Sequence, residues 1–168
     1  RKVTAAATTV DSSRYVGLFF AEDAQSVARV VGQGNGVAIR ALGMTIPLKP
    51  SSENRFEADG FPVSVEFTGE TARPVSGMKV SLLGDPWGTF ARVTPFTPGE
   101  SELAALPGSY YSPELDTTWR IIRKDGRYLL SGRAVGEDPL EPAFADAYTA
   151  GQGFLRFTRD STGRITGF

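Results

Sequence analysis

Short apolar runs separated by turn-forming residues recur along the first half of the chain and predict strands. The segment VSVEF at 63–67 alternates apolar and polar side chains, the period-two pattern of a strand with one buried face. β-branched and aromatic residues dominate the runs and favour extended backbone. The 19 glycines and 11 prolines are typical of chains with many turns. The predicted strands are 15–20, 26–32, 36–42, 45–49, 54–58, 62–68, 75–83 and 88–93.

Three segments between these runs predict hairpin connections. The pairs Asn35-Gly36 and Asp125-Gly126 can adopt the positive φ angles that a two-residue hairpin turn requires. The segment RDSTGR at 159–164 predicts a longer hairpin loop, with Gly163 near its end.

Helix signals are weak, and two segments carry them. One is AEDAQSVARVV at 21–31, which overlaps a predicted strand. The other is SELAAL at 101–106, for which we predict a short helical turn capped by Ser101, with Glu100 and Glu102 near its start. No long helix is expected.

The second half of the chain repeats the order of landmarks in the first half. A glycine followed by a bulky pair and an internal arginine occurs in YVGLFFAEDAQSVARVV at 15–31 and again in LPGSYYSPELDTTWRII at 106–122. With one inserted residue, IPLKP at 46–50 aligns with DPLEP at 138–142, and VEFTGETARPVSGM at 65–78 aligns with LRFTRDSTGRITGF at 155–168. This order of landmarks indicates an internal duplication with a period of about ninety residues.

Two units of this length predict an all-β fold of two tandem small antiparallel up-and-down, lipocalin-like β-barrels with seven to eight strands each. A meander this short buries its apolar face by curling into a barrel or by packing on its twin. The predicted first barrel is 1–90 and the second 91–168, with a proline-containing linker at about 94–103. The second unit lacks a counterpart of KVSLLGDPWGTF at 79–90, so we expect its final strand to be missing or supplied elsewhere, and the chain to be cut from a longer protein.

Composition removes several classes of function. The chain of 168 residues has no histidine and no cysteine, so it cannot build a Ser-His-Asp or Cys-His site by itself. Its formal net charge is -1, with basic and acidic residues mixed, so no nucleic-acid partner is expected. No apolar run approaches ~18 residues, so no membrane span is expected. No cofactor, metal site or catalytic residue is predicted.

The run FARVTPFTPGESELAALPGSYYSPELDTTWRIIRKDGRYLL at 90–130 resembles the C-terminal barrel region of penicillin-recognising, β-lactamase-like serine hydrolases. The whole chain is most similar to the tandem barrels that follow the catalytic domain in D-aminopeptidases and related esterases. The resemblance implies an accessory region, not itself an enzyme, that shapes substrate access to a catalytic serine hydrolase domain of the parent chain or stabilises it. The family's S-x-x-K occurs once, at Ser76 to Lys79, but Y-x-N, K-T-G and H-x-G are absent. We therefore interpret this motif as part of a turn and strand.

Two other functions remain open at this point. The barrels can act alone and hold a small apolar ligand in a cavity above about 300 Å³. They can also space or dimerise a larger enzyme. Bacterial cytoplasm and periplasm or secretion are both compatible with the sequence, so the compartment is left undecided.

Candidate contact residues are those that differ between the two copies: Tyr110, Tyr111, Glu114 and Trp119, as contacts to a partner or ligand. Filling of the barrel interior is favoured over lining of a pocket for Trp119 and for Trp87. For the acidic pairs Glu22-Asp23 and Glu114-Asp116 a solvated loop is favoured over acid-base or metal chemistry.

The loop GQGNG at 32–36 is interpreted as a glycine-rich hairpin rather than a phosphate cradle, since no helix follows it. Arg29 and Arg120 occupy the same repeat position, for which we predict a structural role such as pairing at a barrel end.

Overall fold

The computed structural model describes residues 11–71, 73–113, 116–132 and 136–168. Contacts divide the chain into two compact units, Arg1–Val93 and Thr94–Phe168. The segment 94–103, for which the sequence predicts a linker, belongs to the second unit, where the Phe96 N–H donates to the Ala143 carbonyl at 3.0 Å. No helix in the described ranges is long and apolar enough to cross a membrane.

The first unit is a closed antiparallel barrel of eight strands joined in sequence order. All eight sequence-based strands are confirmed. A short 3-10 helix, Ser12–Arg14, precedes them and was not predicted. The strands are β1 Gly17–Ala21, β2 Ser26–Gln33, β3 Gly36–Ala41, β4 Met44–Pro50, β5 Arg55–Ala58, β6 Val63–Thr68, β7 Gly77–Leu82 and β8 Asp85–Val93.

Inward-facing residues of the first unit fill its interior. Alternation along β6 buries Val65 and Phe67 while Glu66 stays exposed, as expected for a strand with one wet face. Phe56 and Phe67 meet edge-to-face, with ring centroids 5.3 Å apart. Tyr15 joins this aromatic group and donates its hydroxyl to the Glu53 carbonyl at 2.6 Å.

The second unit is a curled half-barrel, where the sequence predicts a barrel whose final strand is missing or supplied elsewhere. Six strands form one sheet in the order β14-β13-β12-β11-β10-β9, and β15 and β16 form a separate pair. A five-residue helix, α1 Glu100–Ala104, precedes the sheet. The strands are β9 Gly108–Ser112, β10 Thr117–Lys124, β11 Arg127–Gly132, β12 Gly136–Pro142, β13 Ala147–Ala150, β14 Gly153–Arg156, β15 Thr158–Arg159 and β16 Ile165–Gly167.

The two units share their strand register. Gly17 pairs with Val30, and the residues 91 positions later, Gly108 and Ile121, pair with each other. The same offset carries every β2–β3 pair onto a β10–β11 pair. After one extra residue the β3–β4 and β4–β5 pairs coincide with those of β11–β12 and β12–β13. The pair Thr68–Gly77 corresponds to Thr158–Gly167. These registers coincide with the alignment drawn from sequence.

Local geometry corrects three of the predicted details. The first hairpin turn is formed by Gly34 and Asn35, with Gly34 at φ +54, because Gly36 already pairs with Gln33 in β3. Helix α1 is capped by Gly99, whose N–H donates to the Glu102 carboxylate at 2.7 Å, and not by Ser101. The segment 21–31 forms a turn and β2, so its helical interpretation is wrong.

The other predicted turns are confirmed. Asp125 and Gly126 both have positive φ, 50 and 76 degrees, between the paired residues Lys124 and Arg127. Gly163, at φ +84, lies near the end of the loop between β15 and β16.

Candidate functional site

Tyr110 belongs to the packed side of the half-barrel. Its ring lies 5.9 Å from that of Phe157 and 5.1 Å from that of Phe168. Its hydroxyl donates to the Leu106 carbonyl at 2.7 Å. Burial raises the pKa of this phenol, and the nearby Arg159 charge offsets part of the effect. Tyr110 therefore serves packing, as its counterpart Phe19 does in the first unit.

Tyr111, the next residue of β9, lies on the opposite face because successive strand side chains alternate. It is 61 % exposed, and its hydroxyl donates to Asp116 Oδ1 at 2.9 Å. This bond ties β9 to the turn that leads into β10. The fourth candidate, Glu114, lies outside the described residues.

Trp119 pairs with Tyr110 in register and packs partly buried against the second core. Its indole lies across Gly132, where an added Cβ would come within 2.7 Å of the ring. The first unit has Ala28 and Ala41 at the equivalent positions. The second unit therefore has the large Trp119 and the small Gly132 in place of two alanines. Trp119 and Tyr110 thus lie together on the packed side, and Tyr111 does not join them.

A polar cleft of ≈ 410 Å³ opens on the outer face beside Tyr111. Thr118 is paired with Tyr111, and Arg120 with Ser131. The cleft is lined by Asp116, Thr117, Thr118, Arg120, Ser131 and Gly132. Sequence reasoning named Asp116 as part of a solvated acidic pair and Arg120 as a structural residue, and it missed Thr118 and Ser131. The signal that could have found them is the difference between copies: Ser131 corresponds to Arg40, and Thr118 to Val27.

The chemistry of this cleft is that of a hydrogen-bonding site for a small polar or anionic group. The Arg120 side chain is exposed, and its guanidinium makes no hydrogen bond or ion pair with any described residue. The hydroxyls of Thr118 and Ser131 add donors and acceptors beside it. Asp116, held by Tyr111, contributes the opposite charge at the rim. Within the described ranges no group of three or more acidic, histidine or cysteine side chains could hold a metal.

Arg29, the counterpart of Arg120, is also exposed on the outer face and bonds to no side chain or carbonyl in the described ranges. Neither arginine makes the predicted pairing at a barrel end with a residue of the described ranges. Arg92 makes it instead. Its guanidinium donates to the carbonyls of Val75, of Val16 at 2.9 Å and of Arg14 at 3.2 Å, and lies 4.8 Å over the Phe19 ring.

Burial lowers the pKa of Arg92, yet the guanidinium stays charged near neutral pH because the ordinary pKa of arginine is far above it. Sequence reasoning missed this residue, since its acceptors come from two segments far from it in sequence, 14–16 and Val75.

The other sequence motifs lie in turns and strands. Ser76 precedes β7 and donates its hydroxyl to the Thr68 carbonyl at 3.2 Å, while Lys79 lies exposed within β7 opposite Glu66. The GQGNG segment forms the β2–β3 hairpin. Glu22 and Asp23 lie exposed in the turn after β1, where Asp23 accepts from the Ala24 N–H at 2.9 Å.

No protein-family model matches the chain, and no curated protein matches it significantly.

Proposed function

We propose that the chain is a non-catalytic accessory module of a β-lactamase-like serine hydrolase of the D-aminopeptidase or esterase type. In this proposal the module consists of two lipocalin-like units that arose by internal duplication. In this role the module shapes substrate access to the catalytic domain or stabilises it. The proposal starts from the resemblance of 90–130 to the barrel region of that family. The shared strand register of the two units supports the duplication.

The observation that carries the non-catalytic, surface-acting role is the filling of the first barrel by its own side chains. Large residues from opposite walls meet in the centre, and Phe19, Phe56 and Phe90 are at most 1 % exposed. A lipocalin-type ligand binder keeps this volume open. The filled interior therefore argues against the alternative of a stand-alone barrel that binds a small apolar ligand. Contact with a partner would then be made by the outer faces and loops.

The outer cleft is the part of the module that best fits contact with a partner. It lies where the copies differ, and Arg120, which has no partner among the described residues, offers a charged donor to a partner carboxylate or carbonyl. A loop that reaches over a catalytic cleft can select substrates by excluding long ones, without new attractive contacts.

A turnover assay tests the non-catalytic part of the proposal. The purified chain is incubated with activated esters and D-aminoacyl amides, beside its Ser76→Ala variant. We expect no turnover above the uncatalysed rate and no difference between the two proteins. Turnover that the substitution abolishes would overturn the proposal, because Ser76 would then be a nucleophile.

A binding assay tests the partner part. The chain is titrated against the catalytic domain of a serine hydrolase of this type prepared without its barrels. Arg120→Ala should weaken binding by about tenfold or more if the cleft makes the contact, as loss of a charged hydrogen bond predicts. The matched variant Arg29→Ala changes the equivalent position of the first unit and should bind as the parent does. Equal weakening by both variants, or no binding at all, would contradict a contact through the cleft.

A further inference from the structure

Five of the six exposed large hydrophobic side chains in the described part of the first unit lie at one end of the barrel. Successive strands are antiparallel, so the connections 22–25, 42–43, 59–62 and 83–84 are all at this end. The five side chains, 38–76 % exposed, lie in three of these connections or directly beside them: Leu42, Met44, Phe61, Leu82 and Leu83. We call these five residues the apolar end. Clustered exposed apolar groups mark a contact surface, whereas single scattered ones do not.

The apolar end continues the core of the first barrel. Side chains alternate along a strand, so Met44 lies on the inward-facing side with Ile46, and Leu82 lies there with Val80. Val80 belongs to the core, and Ile46 and Trp87 pack partly buried against it. The core therefore reaches the end of the barrel and is open to solvent there, because Met44 and Leu82 are both exposed.

Two hairpin turns at this end carry leucine where the backbone favours other residues. Leu42 and Leu83 have positive φ, 51 and 56 degrees, and each precedes a glycine. Apart from glycine, this conformation is adopted most readily by Asn and Asp, as Asp125 does in the second unit. Leucine at these positions is unfavourable both for the backbone and for its exposure to water. Such a cost is typical of residues that are kept for contact with a partner.

The loop that carries Phe61 is longer than its counterpart in the second unit. Shared register relates the β5–β6 hairpin to the β13–β14 hairpin. The first has four residues in its connection, 59–62, and the second has two, 151–152, so closing the hairpin does not require the exposed Phe61. The Leu83 N–H donates to the Pro62 carbonyl at 2.7 Å, which holds this longer loop against the neighbouring turn of the apolar end.

Acidic groups accompany the apolar end and decide between its possible occupants. None of the four connections contains Lys or Arg, and four carboxylates lie in them or directly after them: Glu22, Asp23, Asp59 and Asp85. Lys49, which pairs with Asp59, and Arg40, one residue before the end of β3, offset part of this charge. Insertion into a bilayer would carry carboxylates towards lipid, which costs free energy, and the same end of a second copy would bring like charges together. A surface with basic groups is the complementary one.

The chain segments that adjoin the barrel lie at its other end. β1 and β8 are antiparallel, with Leu18 opposite Val93. The start of β1 and the end of β8 therefore lie together, a strand's length away from the apolar end. The adjoining segments leave the apolar end open to a molecule from outside.

We propose that the apolar end binds a separate polypeptide that presents leucine, phenylalanine or similar side chains flanked by lysine or arginine. The apolar side chains of this partner cover the open end of the core and the exposed turn residues, and its basic groups meet the carboxylates of the connections. Hydrogen-bonded turns hold the contact residues in place before binding, so little conformational freedom is lost in the complex. The proposal is independent of the accessory role.

The test uses the full chain and a short synthetic peptide with a Leu-Phe-Leu centre flanked by lysines as the probe. Its matched control is the same peptide with glutamates in place of the lysines. Backbone amide signals are followed by NMR while each peptide is added. The lysine peptide should shift the amides of Leu42, Phe61 and Leu83 in a saturable way, and less at high salt because exposed charges are screened. The glutamate peptide should leave these signals in place at the same concentrations.

Variants of the chain separate binding from folding. Leu83→Asn should weaken peptide binding by about tenfold or more, through loss of a leucine that the peptide would bury. Its urea midpoint should not fall, because asparagine adopts the positive φ of this turn more readily than leucine. Phe61→Ser should weaken binding likewise. Val16→Ser, which changes the exposed apolar side chain at the opposite end, should bind as the parent does.

Absence of shifts at the apolar end, equal shifts with the glutamate peptide, or parent-like binding by Leu83→Asn would overturn the proposal. Two further measurements examine the other occupants. A dimeric mass by light scattering that Leu83→Asn abolishes would overturn it in favour of a second copy. Sedimentation with phosphatidylcholine vesicles that Leu83→Asn abolishes would overturn it in favour of a bilayer. We expect a monomeric mass and no sedimentation.

Discussion

Two arginines of the closed barrel differ in what their guanidinium groups contact. Arg29 lies on the outer face in water, whereas Arg92 is half-buried and donates to three backbone carbonyls from two segments of the chain. A backbone carbonyl that loses its donor away from water costs free energy, so the two residues should respond differently to the same change.

Arg92→Met should lower the free energy of unfolding of the first unit by about 2–3 kcal/mol, the usual range for hydrogen bonds to a charged group. The control is Arg29→Met, which should stay within about 0.5 kcal/mol of the parent, as exposed substitutions usually do. Urea denaturation followed by tryptophan fluorescence measures both. Equal effects would show that the Arg92 contacts do not stabilise the barrel.

The Trp119–Gly132 contact gives a second prediction at the residue scale. Gly132→Ala places a methyl group within 2.7 Å of the indole, so the ring must move. We expect a loss of about 1–3 kcal/mol, typical of overpacking, with a change in near-UV circular dichroism. Gly108→Ala is the control, since its nearest neighbour, the Tyr110 ring, would be an ordinary 3.6 Å away. An unchanged Trp119 signal in Gly132→Ala would contradict the packing.

At the scale of elements, the sequence predicted the strands of the first unit but not its contacts between distant segments, such as those of Arg92. Period-two alternation such as that of 63–67 is a local property, so it can be recognised in the sequence without knowledge of the fold. The Arg92 cluster is not local, and nothing in the residues around Arg92 marks it. For the second unit the sequence predicted a barrel whose final strand is missing or supplied elsewhere, because no counterpart of 79–90 is present, and the structure shows a six-stranded half-barrel.

The four predicted contact residues also show that the sequence alone does not reveal which side chains meet at the candidate site. Tyr110 and Tyr111 were both chosen because they differ from the first copy, but neighbouring strand residues face opposite sides, so one faces the core and the other the outer face beside the cleft. The candidate residues that the structure describes nonetheless lie on β9 and β10, next to the cleft. Ser131, which replaces Arg40 and leaves Arg120 a smaller neighbour, was missed, although the same comparison of the copies could have found it.

The hairpin loop between β15 and β16 yields a pH prediction. Asp160 accepts from the Thr162 hydroxyl at 2.6 Å and from the backbone N–H groups of Thr162 and Arg164. These bonds, the hydroxyl first, lower the pKa of the carboxyl below its usual 3.8. Because the pKa is lowered in the folded state, the stability that the ionised Asp160 carboxylate gives to the fold is fully present above pH 3.8. It is lost as the pH falls through the lowered folded-state pKa.

An NMR titration should therefore show the Asp160 carboxyl titrating below pH 3.8 and the loop amides of Thr162 and Arg164 losing protection only as it protonates. In Asp160→Asn the loop should be independent of pH over this range. A titration midpoint at or above the usual value would mean that the loop does not hold the carboxylate.

For the whole molecule, each compact unit contains one of the two tryptophans, Trp87 in the first and Trp119 in the second. Each also has a phenylalanine at the centre of its core at equivalent repeat positions, Phe67 at 2 % exposure and Phe157 at 4 %. If each unit folds on its own core, a cavity in one should leave the unfolding of the other unchanged, since distant independent sites add.

Phe67→Ala should shift the transition reported by Trp87 by about 3–5 kcal/mol, the usual cost of removing a buried phenylalanine side chain, and leave the Trp119 transition in place. Phe157→Ala should do the reverse. Urea unfolding of each variant in a Trp119→Phe and a Trp87→Phe background isolates the two signals, with each tryptophan variant alone as the reference. A shift of both transitions by either substitution would mean that the units unfold together.

The closed unit should also unfold at higher urea than the half-barrel, because β9 and Phe168 leave the second core partly open to solvent.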